Sequence, residues 1–175
     1  MKKLLRWLSV LPAVLMLLLI FRFSAQDGPS SGSLSYKVSY AIIKLFDRIC
    51  SSGFSEGELI SRAESIQLVV RKLAHITEFF LLTLSFYLPL RIWLPYKGVT
   101  ITGKQYLYKL ILPAFSLSIL CAAADEFHQS FVPGRCGTPI DVLVDSVGII
   151  GACLFLIYCN YRIQKRHRAC NPHSE

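Results

Sequence analysis

The stretch DEFHQSFVPGRCGTPIDVLVD, residues 125–145, holds four carboxylates, a His, a Gln and an Arg between two very apolar runs. An isolated charge in a bilayer costs about 2.5–3.5 kcal/mol on insertion scales. A chain that sets this much ionisable chemistry against two hydrophobic runs must either keep the runs out of lipid or give the charges partners. The rest of the sequence decides for lipid. Of 175 residues, 53% are apolar and 17% charged, and mean hydropathy is +0.48. A bilayer core takes about 20 mostly apolar residues per helix. Four runs qualify, at about 4–23, 71–94, 106–127 and 141–161. The expected fold is all-α: a single membrane domain over 1–175, built as a four-transmembrane-helix bundle. The first run, with its basic start and apolar middle, also fits a cleaved signal peptide, but no A-x-A-like site follows in FRFSAQDG.

The net charge of +8 raises nucleic acid as a partner, and the placement of the charge argues against it. Three regions carry eleven of the nineteen basic residues and one acid, Glu175. They are Lys2, Lys3 and Arg6, then Arg91, Lys97, Lys104 and Lys109, then Arg162, Lys165, Arg166 and Arg168. The remaining parts hold eight basic and ten acidic residues. This is the asymmetry of the positive-inside rule. It predicts a multi-pass protein with both termini cytoplasmic, a cytoplasmic tail over 162–175, and the 125–145 stretch facing outward.

Residues 24–65 form the expected extracytoplasmic segment. SAQDGPSSGSLS, residues 24–35, has the Gly, Pro and Ser content of a loop. Val38, Ile42, Leu45, Phe46 and Ile49 then recur at helical spacing, which predicts an amphipathic helix over 36–50, lying on the membrane surface or packed on the bundle. SEGE and SRAE, at 55–58 and 61–64, both match the capping box that opens a helix. Pro89 and Pro95 bend or end the second span.

Among the six cysteines, Cys121, Cys153 and Cys159 fall in spans as small apolar packers, and Cys170 falls in the tail. Cys50 and Cys136 share the outer side and are the one pair able to form a disulfide. No C-x-x-C supports a structural zinc site.

Helical geometry gathers the polar residues into three stripes. Arg71, His75 and Glu78 share one narrow face. Asp125, His128 and Gln129 share another, with Glu126 on its flank. Asp141, Asp145, Gly148 and Ala152 line the third, where the small residues admit a close neighbour. Lone charges in lipid are costly, so the stripes should face one another around an outward-opening polar pocket. Structural readings stand beside this. Arg71 and Lys72 suit headgroup anchors, and Asp141 suits a capping box begun by Thr138 with Pro139 at the first helical position.

FSAQ (23–26), RKLAHITEF (71–79), DEFHQSFVPGR (125–135) and DVLVDSVG (141–148) together resemble the motifs of VanZ-like membrane proteins, over the whole chain. The resemblance implies a small bacterial cell-membrane protein. Name-giving members are associated with resistance to teicoplanin-type glycopeptide antibiotics. It implies no known reaction.

Two classes of function follow. In the first, the pocket binds or modifies an anionic lipid-linked cell-envelope component. Arg71, Gln129, Arg135 and Asp141 are then the substrate-binding residues, and His75, Glu78, Asp125, Glu126, His128 and Asp145 the candidate catalytic ones. Arginine forks suit phosphate or carboxylate, and a His beside a carboxylate suits acid–base work. The same nitrogen and oxygen donors admit a divalent metal, although neither His-x-x-Glu nor Glu-x-His is a diagnostic metal spacing. In the second class the protein is a non-catalytic scaffold or shield whose polar residues only fix helix packing. Membrane lipids or a lipid-linked envelope precursor are the expected partners in the first class, and nucleic acid in neither.

Overall fold

The structure, a computed structural model, describes residues 2–94 and 103–170, and nothing but helix, turn and coil occurs among them. Pro95, Lys97 and residues 171–175, which the charge and span arguments use, lie outside the described residues. So do the side chains of Lys2, Lys3, Lys104, Arg168 and Cys170.

The first span is α1 (Lys2–Leu8) followed by α2 (Leu11–Ser24). Pro12, at the start of α2, has no N–H to give the preceding turn, so the helix breaks at Ser9 and Val10. After α2 the chain turns at once into α3 (Gly28–Cys50). Here the expected loop over 24–35 is overturned. Asp27 caps the helix by accepting from the Ser30 N–H at 2.8 Å, and Pro29 sits in its first turn. The hydrogen bonds from Ser30 hold the Asp27 carboxyl below the usual carboxylate range.

The amphipathic helix expected over 36–50 is the later part of α3, and its apolar face is not the one packed on the bundle. Ser31, Ser35 and Ser39 form its buried stripe, lying against α4 (Glu56–Trp93). Leu34, Val38, Ile42, Leu45, Phe46 and Ile49 point away, 44–73% exposed. Ser35 and Ser39 satisfy their hydroxyls on the carbonyls four residues back, at 3.0 and 2.9 Å. Their small side chains thus let α3 come close to α4, as small residues do between membrane helices. Gln67 on α4 donates to the Gly32 carbonyl at 2.8 Å.

The first of the two capping boxes opens α4. The Ser55 hydroxyl accepts from the Glu58 N–H while Glu58 accepts from the Ser55 N–H. The 38-residue helix is about 57 Å long at 1.5 Å per residue, well beyond a bilayer core of about 30 Å. Its first four turns pair with α3 as an antiparallel hairpin beyond the polar cluster.

A short helix α5 (Gly103–Tyr106) continues through a π-helical turn (Leu107–Ile111) into α6 (Leu112–Gln129). Pro113 cannot donate to the carbonyl four residues earlier, and the widened turn accommodates its ring. Last comes α7 (Pro139–Cys170), which carries the expected tail onward as helix.

Four helical stretches are long and apolar enough to cross a membrane: Leu4–Ser24, Glu56–Trp93, Leu107–Gln129 and Pro139–Arg166. Between 17% and 33% of each one's most apolar window is buried in the bundle, so most of the apolar surface points outward, as a bilayer solvent requires. Two apolar clusters fill the interior. Ile20, Phe79, Leu82, Ala122 and Ile149 lie nearer the polar residues, and Tyr106, Leu110, Ile111, Cys153 and Leu156 nearer the other end. The buried Thr83 and Ser118 hydroxyls join α4 to α6 at 2.9 Å.

Cys50 and Cys136 are both free and exposed. Gly28 at the start of α3 abuts the turn just before Cys136, while Cys50 ends the same helix, about 33 Å away along its axis. A disulfide requires Cα atoms within about 7 Å, so the pairing is excluded in this fold.

Candidate polar site

The 125–145 stretch turns α6 back into α7 at the end of the bundle where α2 meets α3. Gly134, with φ +72°, makes the turn, and the Pro133 carbonyl accepts from the Gly28 N–H at 3.0 Å. The approach is so close that a Cβ on Gly28 would overlap the Gly134 carbonyl. Gly137 lies equally close to the Glu126 carbonyl at the end of α6. These contacts fix Arg135 between four helices. Its guanidinium donates to the Ser24 carbonyl at 3.3 Å and to the Ser31 hydroxyl at 2.5 Å. The first acceptor is at the C-terminal, negative end of α2, which favours a cation.

Two cavities adjoin at Arg71, His75 and Arg135. One is a polar chamber of about 450 Å³ between α4, α6 and α7, to which Lys72, Glu126, Gln129, Asp141 and Asp145 also contribute. The other is a slot of about 350 Å³ between α2, α3 and α4. Phe23, Leu34, Val38, Val70 and Ala74 make the slot mostly apolar, with Glu78 at its polar edge. Eight of the ten candidate residues thus line one cavity or the other. Asp125 and His128 line neither. Gln129 donates to the Asp125 carboxylate at 2.8 Å, one turn away on the same helix. His128 faces α2, with Nδ1 3.4 Å from the Ser24 hydroxyl and its ring 5.0 Å from that of Phe21.

Within the chamber the polar groups are unequally satisfied. Asp141 receives Lys72 at 2.9 Å and the Thr138 hydroxyl at 2.8 Å, and its own N–H bonds back to that hydroxyl, so its capping role is occupied. Glu126 accepts from the Thr138 N–H at 3.2 Å. By contrast, Nε of Arg71, Nε of Arg135, Nδ1 of His75 and Oδ2 of Asp145 are buried without a hydrogen-bond partner. His75 and Glu78 approach to 3.7 Å, too far for a hydrogen bond. Buried polar groups are ordinarily paired. Three of the unpaired groups belong to residues at the junction of the cavities, and one to a residue of the chamber wall. Among the described residues, no three His, Cys, Asp or Glu side chains are arranged to hold a metal ion.

Sequence periodicity missed Lys72, Ser24 and Ser31. Lys72 reads as a headgroup anchor from its place beside Arg71, yet it pairs with Asp141 across 69 residues. Both partners are about a third exposed, at 39% and 34%, so the pair is worth at most about 1 kcal/mol. Lys72→Met is therefore expected to lower the midpoint of thermal unfolding in detergent by only a few degrees. A collapse of the fold would show the pair to be buried in the membrane-bound protein.

Residues 9–160 match the family model VanZ/LLP1, and the chain belongs to this family. No curated protein and no solved structure matches it.

Proposed function

We propose that this VanZ/LLP1-family membrane protein binds an anionic, lipid-linked component of the bacterial cell envelope. The headgroup lies in the chamber against Arg71 and Arg135, and the hydrocarbon chain lies in the slot. One observation carries the reading: a polar and an apolar cavity meet at two arginines whose buried Nε atoms have no partner. A guanidinium fork matches phosphate or carboxylate in two directions at once. Few ligands other than an anionic lipid need both compartments together. His75 stands at the same junction and Glu78 on its slot side, where a proton donor and acceptor would meet the headgroup, so modification as well as binding is open to the site.

The test uses purified protein in an uncharged detergent, titrated with phosphatidylglycerol or diacylglycerol. Phosphatidylglycerol is expected to bind at least tenfold more tightly, and Arg71→Gln to remove most of that preference. Equal binding of the two lipids would sink the proposal. The family resemblance extends it to glycopeptide tolerance, which is read as the inhibitory concentration of teicoplanin for cells with and without the protein.

A scaffold reading draws on Asp125, Asp141 and His128, which are engaged by Gln129, Lys72 and Ser24. Substituting His75 or Glu78 separates the two. A binding site loses its ligand at unchanged protein level, whereas a packing network loses the protein.

The proposal includes four crossings with both termini inside, from the asymmetry of basic residues. A single cysteine introduced at Ser33, in a background lacking native cysteines, should then react with an impermeant maleimide on intact cells. One at Gln164 should react only after lysis. The reverse labelling would turn the site toward the cytoplasm.

A further inference from the structure

We infer that the headgroup is zwitterionic, with a phosphate at Arg71 and Arg135 and an ammonium at Asp145. This rests on the lipid-binding reading, keeps its phosphate at the arginines, and replaces a purely anionic headgroup by one that also carries an amine.

Asp145 lies on α7, two turns from its start, and is 1% exposed. The residue lines the chamber, and its Oδ2 is buried without a hydrogen-bond partner. Among the described residues no cation pairs with it: Lys72 is paired with Asp141, and His75 faces Glu78. Arg135 is turned to Ser24 and Ser31. A buried carboxylate with neither a hydrogen bond nor a counter-charge is costly, and the cost falls when a ligand brings the missing donor.

The charges are also divided in space. Both arginines stand at the junction with the slot, while Asp145 and Glu126 belong to the chamber alone. A purely anionic headgroup would satisfy the arginines and leave its far end against carboxylates. An aminoalkyl phosphate satisfies both walls, because its linker spans only a few bonds and a chamber of about 450 Å³ holds both charged groups. Its ammonium donates charge-assisted hydrogen bonds to Asp145, and its phosphate accepts them from the guanidinium groups.

Phosphatidylethanolamine and phosphatidylglycerol make the comparison, since both are two-chain phosphodiesters and only the first carries an amine. Each is titrated into the full chain in an uncharged detergent, with wild type, Asp145→Asn and Arg135→Ala. Wild type is expected to bind phosphatidylethanolamine at least tenfold more tightly than phosphatidylglycerol. Asp145→Asn keeps the shape of the side chain and removes its charge, and it should bring the ratio close to one. A wild-type ratio near one overturns the inference and depends on no variant folding. So does a ratio that survives Asp145→Asn. If Arg135→Ala weakens both lipids while the wild-type ratio is one, only the ammonium site is lost and the phosphate reading stands. If neither lipid responds to loss of the arginines, the phosphate reading itself fails. Glycerophosphoethanolamine, the same headgroup without chains, forms a third arm. Binding at least tenfold weaker than that of the lipid identifies a membrane lipid as the source, and equal binding identifies a soluble one.

Discussion

Gly148→Ala is expected to destabilise the bundle by about 2 kcal/mol or more, and Gly148→Val to leave little folded protein. Gly148 on α7 is buried against the backbone of α4, where a Cβ would overlap the Ile76 carbonyl oxygen. Backbone cannot yield as a side-chain tip can, so the two helices must separate. Alanine is the better helix former, by about 1 kcal/mol, and would stabilise α7 if packing were indifferent. Gly151, one turn further on, supplies the control. A Cβ there meets Phe80 at 3.6 Å, an ordinary contact. Gly151→Ala should therefore leave stability unchanged or raise it. Yield of monodisperse detergent-solubilised protein and its thermal unfolding measure both variants. Equal behaviour of the two alanines would show that α4 and α7 are further apart than the structure has them. The effect would reach the site as well, because Asp145 lies one turn before Gly148 and His75 lies next to Ile76. Forcing these helices apart widens the chamber.

Much of this arrangement was legible in the sequence because membrane helices are written in long, simple patterns. The four spans follow from apolar length alone. The stripe of Arg71, His75 and Glu78 follows from the 3.6-residue period, and so does the alignment of Asp145 with Gly148. Other features were hidden for physical reasons. Helix α3 begins inside a run of Gly, Pro and Ser that resembles a loop. Its serines act as small packing residues against α4, and their hydroxyls are satisfied internally, so no apolar face marks the buried side. Spacing did not separate Asp125 and His128 from their neighbours, because one face of α6 is shared between α2 and the chamber. The angular order was right, and the partner across each angle was not given. Contacts spanning more than a hundred residues, such as Arg135 with Ser24 and Ser31, leave no local trace at all.

Arg135→Ala is expected to reduce binding of phosphatidylglycerol about thirtyfold or more, the range of one lost charge-assisted hydrogen bond. The guanidinium already contacts the end of α2 and the first turn of α3 through its two terminal nitrogens, and its buried Nε has no partner. Alanine removes the charge at the junction of slot and chamber. It also removes two contacts that tie the α6–α7 turn to α2 and α3, so some loss of stability, about 1–3 kcal/mol, should accompany it. Arg135→Lys distinguishes the two effects. Lysine keeps the positive charge but has a single donor group on a flexible stem, which cannot bridge Ser24 and Ser31 and also point a third donor inward. If the charge alone matters, lysine restores binding. If the fork matters, lysine recovers part of the stability and little of the affinity, and the structure favours this second result. The turn itself remains in both variants, since the Pro133 carbonyl and the Gly28 N–H hold it without the side chain. Wild-type affinity in Arg135→Ala, with stability lowered, would make Arg135 a clasp between helices and move the anion site to Arg71 alone.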